Sequence, residues 1–140
     1  MPEKLTARVR TTGNYRVEAT MRGHTVVLDE PESNGGEDAG PTPREMFLGS
    51  LGSCISITLL MYARRKEWPL ENVEVSLSHE RVQAEQGQPP EERISVEIEL
   101  EGAIDEEQRE RLAYIATRCP VSQIVTGNSV LDEKVTVRAG

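Results

Sequence analysis

The stretch PREMFLGSLGSCISITLLMYARRK, Pro43–Lys66, decides how the rest of the chain is read. Its interior, Met46 to Ala63, is the longest run in the sequence without a charged side chain. Pro43 suits the first turn of a helix, where its missing N–H removes no hydrogen bond. Thr42 stands before it as a cap and Glu45 brings a carboxylate to the positive end of the helix dipole. Met46, Phe47, Leu48, Leu51, Ile55, Ile57, Leu59, Leu60 and Met61 leave almost no polar face, so this helix needs protein all round it. Arg64, Arg65 and Lys66 then suit its negative end. The length reaches the lower edge of a membrane span. Gly49, Ser50, Gly52, Ser53, Ser56 and Thr58 argue instead for the buried helix of a folded domain, with no membrane partner.

Upstream, Leu5 to Asp29 alternates polar and apolar residues with turn points at Gly13-Asn14 and Arg22-Gly23, the pattern of three antiparallel strands. Glu30 to Thr42 is rich in glycine, proline and acid, which excludes regular structure, and a loop of that length suggests a border of a site. Downstream, Trp68-Pro69 breaks the helix. Val73, Val75 and Leu77, then Ile94, Val96, Ile98 and Leu100, alternate as two half-buried strands. Asp105 with Gln108 has the spacing of a capping box and opens a helix with Leu112, Ile115 and Ala116 as its apolar stripe. Cys119-Pro120 ends or kinks that helix, VSQIV forms a further short turn, and Val130 to Arg138 predicts a closing strand. Strands, central helix, strands, helices and strand in this order make an α+β fold.

The 140 residues are the length of one domain, 1–140. Twenty-four acidic against sixteen basic residues give a net charge of −8, which disfavours a nucleic acid partner. The start MPEKLTARVR has charge without an apolar stretch behind it, so no secretory signal is expected and the cytoplasm is the expected compartment. In that reducing compartment a pairing of Cys54 with Cys119 belongs to a cycle, not to a permanent disulfide.

A buried free cysteine is most often a small hydrophobe. Around Cys54, however, LGSLGSCIS supplies small residues that let a second group approach the sulfur, and Cys119 stands at a helix break. A metal site would require Cys54, Cys119, His24 and His79 to converge without CxxC or HxxxH spacing, so no metal is expected. GGEDAG lacks the lysine and the following Ser or Thr of a phosphate-binding loop, and no serine nucleophile elbow occurs.

GPTPREMFLGSLGSCISITL (Gly40 to Leu59), followed by RCPVSQIV (Arg118 to Val125), resembles the two-cysteine signature of the OsmC/Ohr family. The loop GGEDAGPTP is closest to the less characterised third branch of that family. The resemblance implies an intertwined homodimer and a thiol peroxidase, an oxidoreductase without cofactor. In it Cys54 attacks an organic hydroperoxide, Cys119 closes a disulfide, and a dithiol or lipoyl protein resets the pair. It also places Glu45 in the site with an arginine that steadies the thiolate. No arginine lies between Gly23 and Pro43, so Arg22 takes that role, with Arg16 and Arg44 as alternatives. A free thiol with a pKa near ~8.5 is mostly protonated at neutral pH, which is why such a site wants a guanidinium.

Glu45 and Cys54 are nine positions apart and so fall on opposite faces of a continuous helix. Either Glu45 precedes the helix or it serves the site of a second subunit. The all-round apolar helix favours the dimer. The competing reading is a non-catalytic dimer that binds a hydrophobic small molecule and keeps its cysteines for packing.

Overall fold

A computed structural model describes residues 4–138. Three strands come first: β1 (Arg8–Gly13), β2 (Arg16–Met21) and β3 (His24–Leu28), antiparallel in the order β1-β2-β3. The β2–β3 turn is Arg22-Gly23, with φ of 50° and 83°, the left-handed pair that a two-residue hairpin needs to match strand twist. Then follow α1 (Pro43–Lys66), the paired strands β4 (Leu70–Val82) and β5 (Glu91–Gly102), α2 (Glu106–Ala116) and α3 (Pro120–Thr126). The fold is α+β, as the residue pattern predicts.

The chain forms two compact units: residues up to 50 with 77–94, and residues 51–76 with 95 onward. In the first unit the buried side chains are Ala19, Leu28 and Asp29. Asp29 accepts hydrogen bonds from the backbone amides of Glu30 (2.8 Å), Ala39 (3.1 Å) and Glu37 (3.3 Å). Burial pulls its pKa up, but these three amides, with Arg16 nearby, hold it below the ordinary 3.8. The carboxylate thus ties the 30–42 segment to the end of β3. Gly36 and Gly40 are required there, because a Cβ at either would run into the carbonyl oxygens of Glu30 and Val27. The segment is not wholly irregular: Glu32–Asn34 form a 3-10 turn closed by Gly35 in the left-handed region.

Helix α1 has the expected bounds. Its first turn is a reciprocal cap: the Thr42 hydroxyl accepts from the Glu45 amide (3.2 Å) and the Glu45 carboxylate accepts from the Thr42 amide (2.9 Å). Its end is a Schellman motif, in which Trp68 N–H reaches the Ala63 carbonyl and Glu67 N–H the Arg64 carbonyl. Glu67 fills the left-handed position usually given to glycine, with φ of 58°. Within the second unit Leu51, Ile55, Leu59 and Ala63 form a buried i, i+4 ridge, joined in the core by Leu112, Ala116 and Cys119. The predicted box at α2 is present: Asp105 accepts from the Gln108 amide and Gln108 from the Asp105 amide.

One expectation is corrected. Val130 to Arg138 is not a strand, and Val130, Leu131, Val135 and Val137 are 80–93% exposed. A strand needs a neighbouring edge for its amides, and among the described residues this segment pairs with none. Within one chain helix α1 is not covered on every face: Phe47, Ile57 and Met61 are exposed, and by length and composition it could cross a membrane.

Candidate active site

The second unit brings Cys54 and Cys119 together. Cys54 lies in the middle of α1, half-buried, and Cys119 is fully buried at the N-cap of α3. Pro120 occupies the first turn of α3, where its lack of an N–H is harmless, and the next two amides point back at the sulfurs. Ser122 N–H donates to Cys119 Sγ at 3.4 Å, the Ser122 hydroxyl lies 3.0 Å from the same sulfur, and the Val121 amide favours the Cys54 thiolate. Thr58 stands one helical turn after Cys54, and its hydroxyl and the Cys119 thiol both act on the Cys54 thiol. Both are free.

Burial is the largest influence on Cys54 and pushes its thiol above the ordinary 9.0. The Cys119 thiol adds to the rise, while Val121 N–H and Thr58 Oγ1 oppose it. The leading influences therefore come from neutral groups and the second thiol.

Glu45 and Arg22 belong to the first unit. Glu45 is the third residue of α1, so it does not precede the helix, and its Oε1 serves the cap. Arg22 is exposed at its turn and makes no hydrogen bond or ion pair among the described residues. The alternatives are engaged elsewhere: Arg16 donates to the Thr12 hydroxyl at 3.0 Å, and Arg44 donates to His79 Nδ1 at 2.9 Å. His79 Nε2 in turn meets Glu92 at 2.7 Å, a satisfied surface histidine. Among the described residues no three His, Cys, Asp or Glu side chains gather as metal ligands.

Thr58, Val121 and Ser122 were not singled out in the sequence. The i+4 spacing of Thr58 from Cys54 was a legible signal. The roles of Val121 and Ser122 follow only from α3 starting at Pro120, which CPVS hints at. A mainly apolar cavity of about 350 Å3 also lies in the second unit, lined by Leu59, Ile98, Leu100, Ile104 and Leu112 together with the charged Glu99, Glu106 and Arg109, with neither cysteine in its wall.

An α+β chain that sets a half-buried thiol from its central helix against a buried thiol at a helix cap is a dithiol protein. The chain belongs to the OsmC-like protein family, whose sequence profile matches residues 35–134. Its fold is similar to an OsmC-like protein from Mycoplasma pneumoniae (TM-score 0.76, 18% identity, 91% of this chain and 90% of that one). It is similar also to an organic hydroperoxide resistance protein OsmC from Legionella pneumophila (0.65, 21%, 90% and 91%). A third similar structure is an organic hydroperoxide resistance protein from Elizabethkingia anophelis (0.65, 18%, 91% and 93%). At these identities the likeness is one of fold. No curated protein matches the sequence.

Proposed function

We propose that this protein is a cysteine-based peroxidase for organic hydroperoxides, acting as a single 1–140 domain in a cytoplasmic homodimer. The observation that carries the reading is that the Cys54 and Cys119 thiols stand close enough to act on each other. The Cys54 thiolate attacks the O–O bond, giving a sulfenic acid on Cys54 and releasing the alcohol. The Cys119 thiol then condenses with it to a disulfide and water, before further oxidation can occur. An external dithiol or lipoyl protein returns both thiols and is itself oxidised to a disulfide.

Because burial disfavours the Cys54 thiolate, a cation has to support it, and Arg22, with no partner among the described residues, is assigned that role. Glu45, whose Oε1 is held by the cap, orients that guanidinium through its second oxygen, the site being completed by a second copy of the chain. The exposed Phe47, Ile57 and Met61 and the uncovered alternation of Val130 to Val137 support a dimer. The neighbours named as hydroperoxide resistance proteins support the substrate class.

The test is thiol counting with intact mass before and after one equivalent of cumene hydroperoxide, with hydrogen peroxide alongside. Fast loss of both thiols with loss of two hydrogens, favouring the organic peroxide, is expected; unchanged thiols would overturn the reading. A second reading, a binding protein for a hydrophobic small molecule, is favoured by the apolar cavity, which stands apart from the thiols. It predicts slow, nonspecific oxidation and a ligand-dependent rise in melting temperature.

A further inference from the structure

Around Tyr62, in the last turns of α1, three cations converge. Arg65, Lys66 and Arg111 lie 5.9, 5.7 and 5.7 Å from its ring centroid, and Arg111 also lies 5.1 Å from the Tyr114 ring. Arg111 Nε donates to the Tyr62 hydroxyl oxygen at 2.9 Å. Tyr62, Arg65, Lys66 and Arg111 together line an open pocket of about 420 Å3. None of the three cations has a carboxylate within ion-pair distance among the described residues.

The negative end of α1 accounts for Arg65 and Lys66 but not for Arg111, which comes from α2. Cation–ring attraction holds each side chain loosely and leaves most of its N–H groups unused. The phenol oxygen accepts from Arg111, so its own O–H remains a donor. Every side chain that lines the pocket therefore offers donors, and three positive charges stand together in a chain whose net charge is −8. The Arg111 hydrogen bond, opposed by burial and reinforced by the charges of Arg111, Lys66 and Arg65, holds the Tyr62 phenol below its ordinary pKa, so the positive field is felt in the pocket itself.

We propose that the pocket formed by Tyr62, Arg65, Lys66 and Arg111 binds a phosphomonoester. A single carboxylate brings one charge and two oxygens and leaves two cations uncompensated. A phosphate monoester brings a charge of about −1.5 to −2 at pH 7 and three acceptor oxygens, which suit two guanidinium forks and an ammonium. An acidic protein surface has charge of the right sign but approaches a chain that is itself strongly acidic. The site is separate from the thiol pair and does not rest on the peroxidase reading.

Trp68, the single tryptophan, packs edge-on against Tyr62 with ring centroids 5.5 Å apart and serves as the reporter. The full chain is titrated with inorganic phosphate and with phenyl phosphate, with sodium chloride at matched ionic strength as control, by Trp68 fluorescence and by calorimetry. Saturable binding is expected with both phosphates, weakened at least tenfold in Arg111→Gln and in Lys66→Gln. Lys66 is exposed, so its variant keeps the test open should Arg111→Gln unfold. Tighter binding of phenyl phosphate assigns an organic monoester, and equal binding assigns free phosphate. A response that merely follows ionic strength, folded variants that bind as tightly as the original chain, or binding of hexaglutamate without binding of phosphate would each overturn the proposal.

Discussion

Truncation of two side chains on α1 separates what one chain buries from what a second copy covers. Leu59 is 1% exposed and Met61, two positions on, is 63% exposed. Leu59→Ala removes fully buried carbon and leaves a void, at a cost of about 2–5 kcal/mol. For 140 residues the unfolding entropy makes that a fall in melting temperature of roughly 7–17 °C. Met61 has only about a third of its surface covered within the chain. If that face is bare, Met61→Ala loses about a third of the ~1.5–3 kcal/mol that full burial of a methionine is worth. If a second copy covers it, the loss rises into the range of Leu59→Ala. With a homodimer, Met61→Ala is expected to match Leu59→Ala within a factor of two, and the melting temperature is expected to rise with protein concentration. Thermal unfolding at three or more concentrations, beside sedimentation, reads both. A loss below about 1 kcal/mol for Met61→Ala, with a melting temperature independent of concentration, would refute the dimer and the argument that this apolar face requires a partner.

Three further outcomes are expected. Cys119→Ser should consume one thiol per hydroperoxide and retain one added oxygen on Cys54, while Cys54→Ser should leave the hydroperoxide intact; equal turnover in Cys54→Ser and the original chain would sink the mechanism. Asp29 has a native pKa below 3.8, so its contribution is present above that value and is lost as pH falls through the native pKa. Asp29→Asn should lower the urea midpoint at pH 7, and the gap should close towards pH 2; a gap of the same size at both pH values contradicts the assigned role. Glu67→Gly should raise stability by about 1 kcal/mol, because glycine adopts the left-handed C′ position without a Cβ penalty, and a melting temperature unchanged or lowered would count against that strain.

The elements legible in the residues were those whose determinants are local. The bounds of α1 follow from Thr42, Pro43 and Glu45 at one end and from the Trp68-Pro69 break at the other. The box at Asp105 and Gln108 needs only a three-residue spacing. Alternation in β4 and β5 likewise marks one face as apolar before any partner is known. The pair Cys54 and Cys119 was legible as two motifs sixty-five positions apart, but not as a contact.

Tertiary structure decided what depends on a neighbour. Val130 to Arg138 has the residues of a strand but pairs with no edge among the described residues, since alternation specifies a face and not a partner. Glu45 reads as a candidate catalytic carboxylate, and only the fold shows one of its oxygens committed to the Thr42 amide. The small neighbours of Cys54 open its sulfur to approach, yet burial and the second thiol disfavour its thiolate. By itself the sequence determined the order and bounds of the regular elements and the presence of two candidate thiols, because helix and strand periods, caps and breaks act within a few residues. Only tertiary structure decided that Val121 and Ser122 stand beside those thiols and that Arg111 joins the cations at Tyr62, because such encounters depend on which turns the packed chain brings side by side.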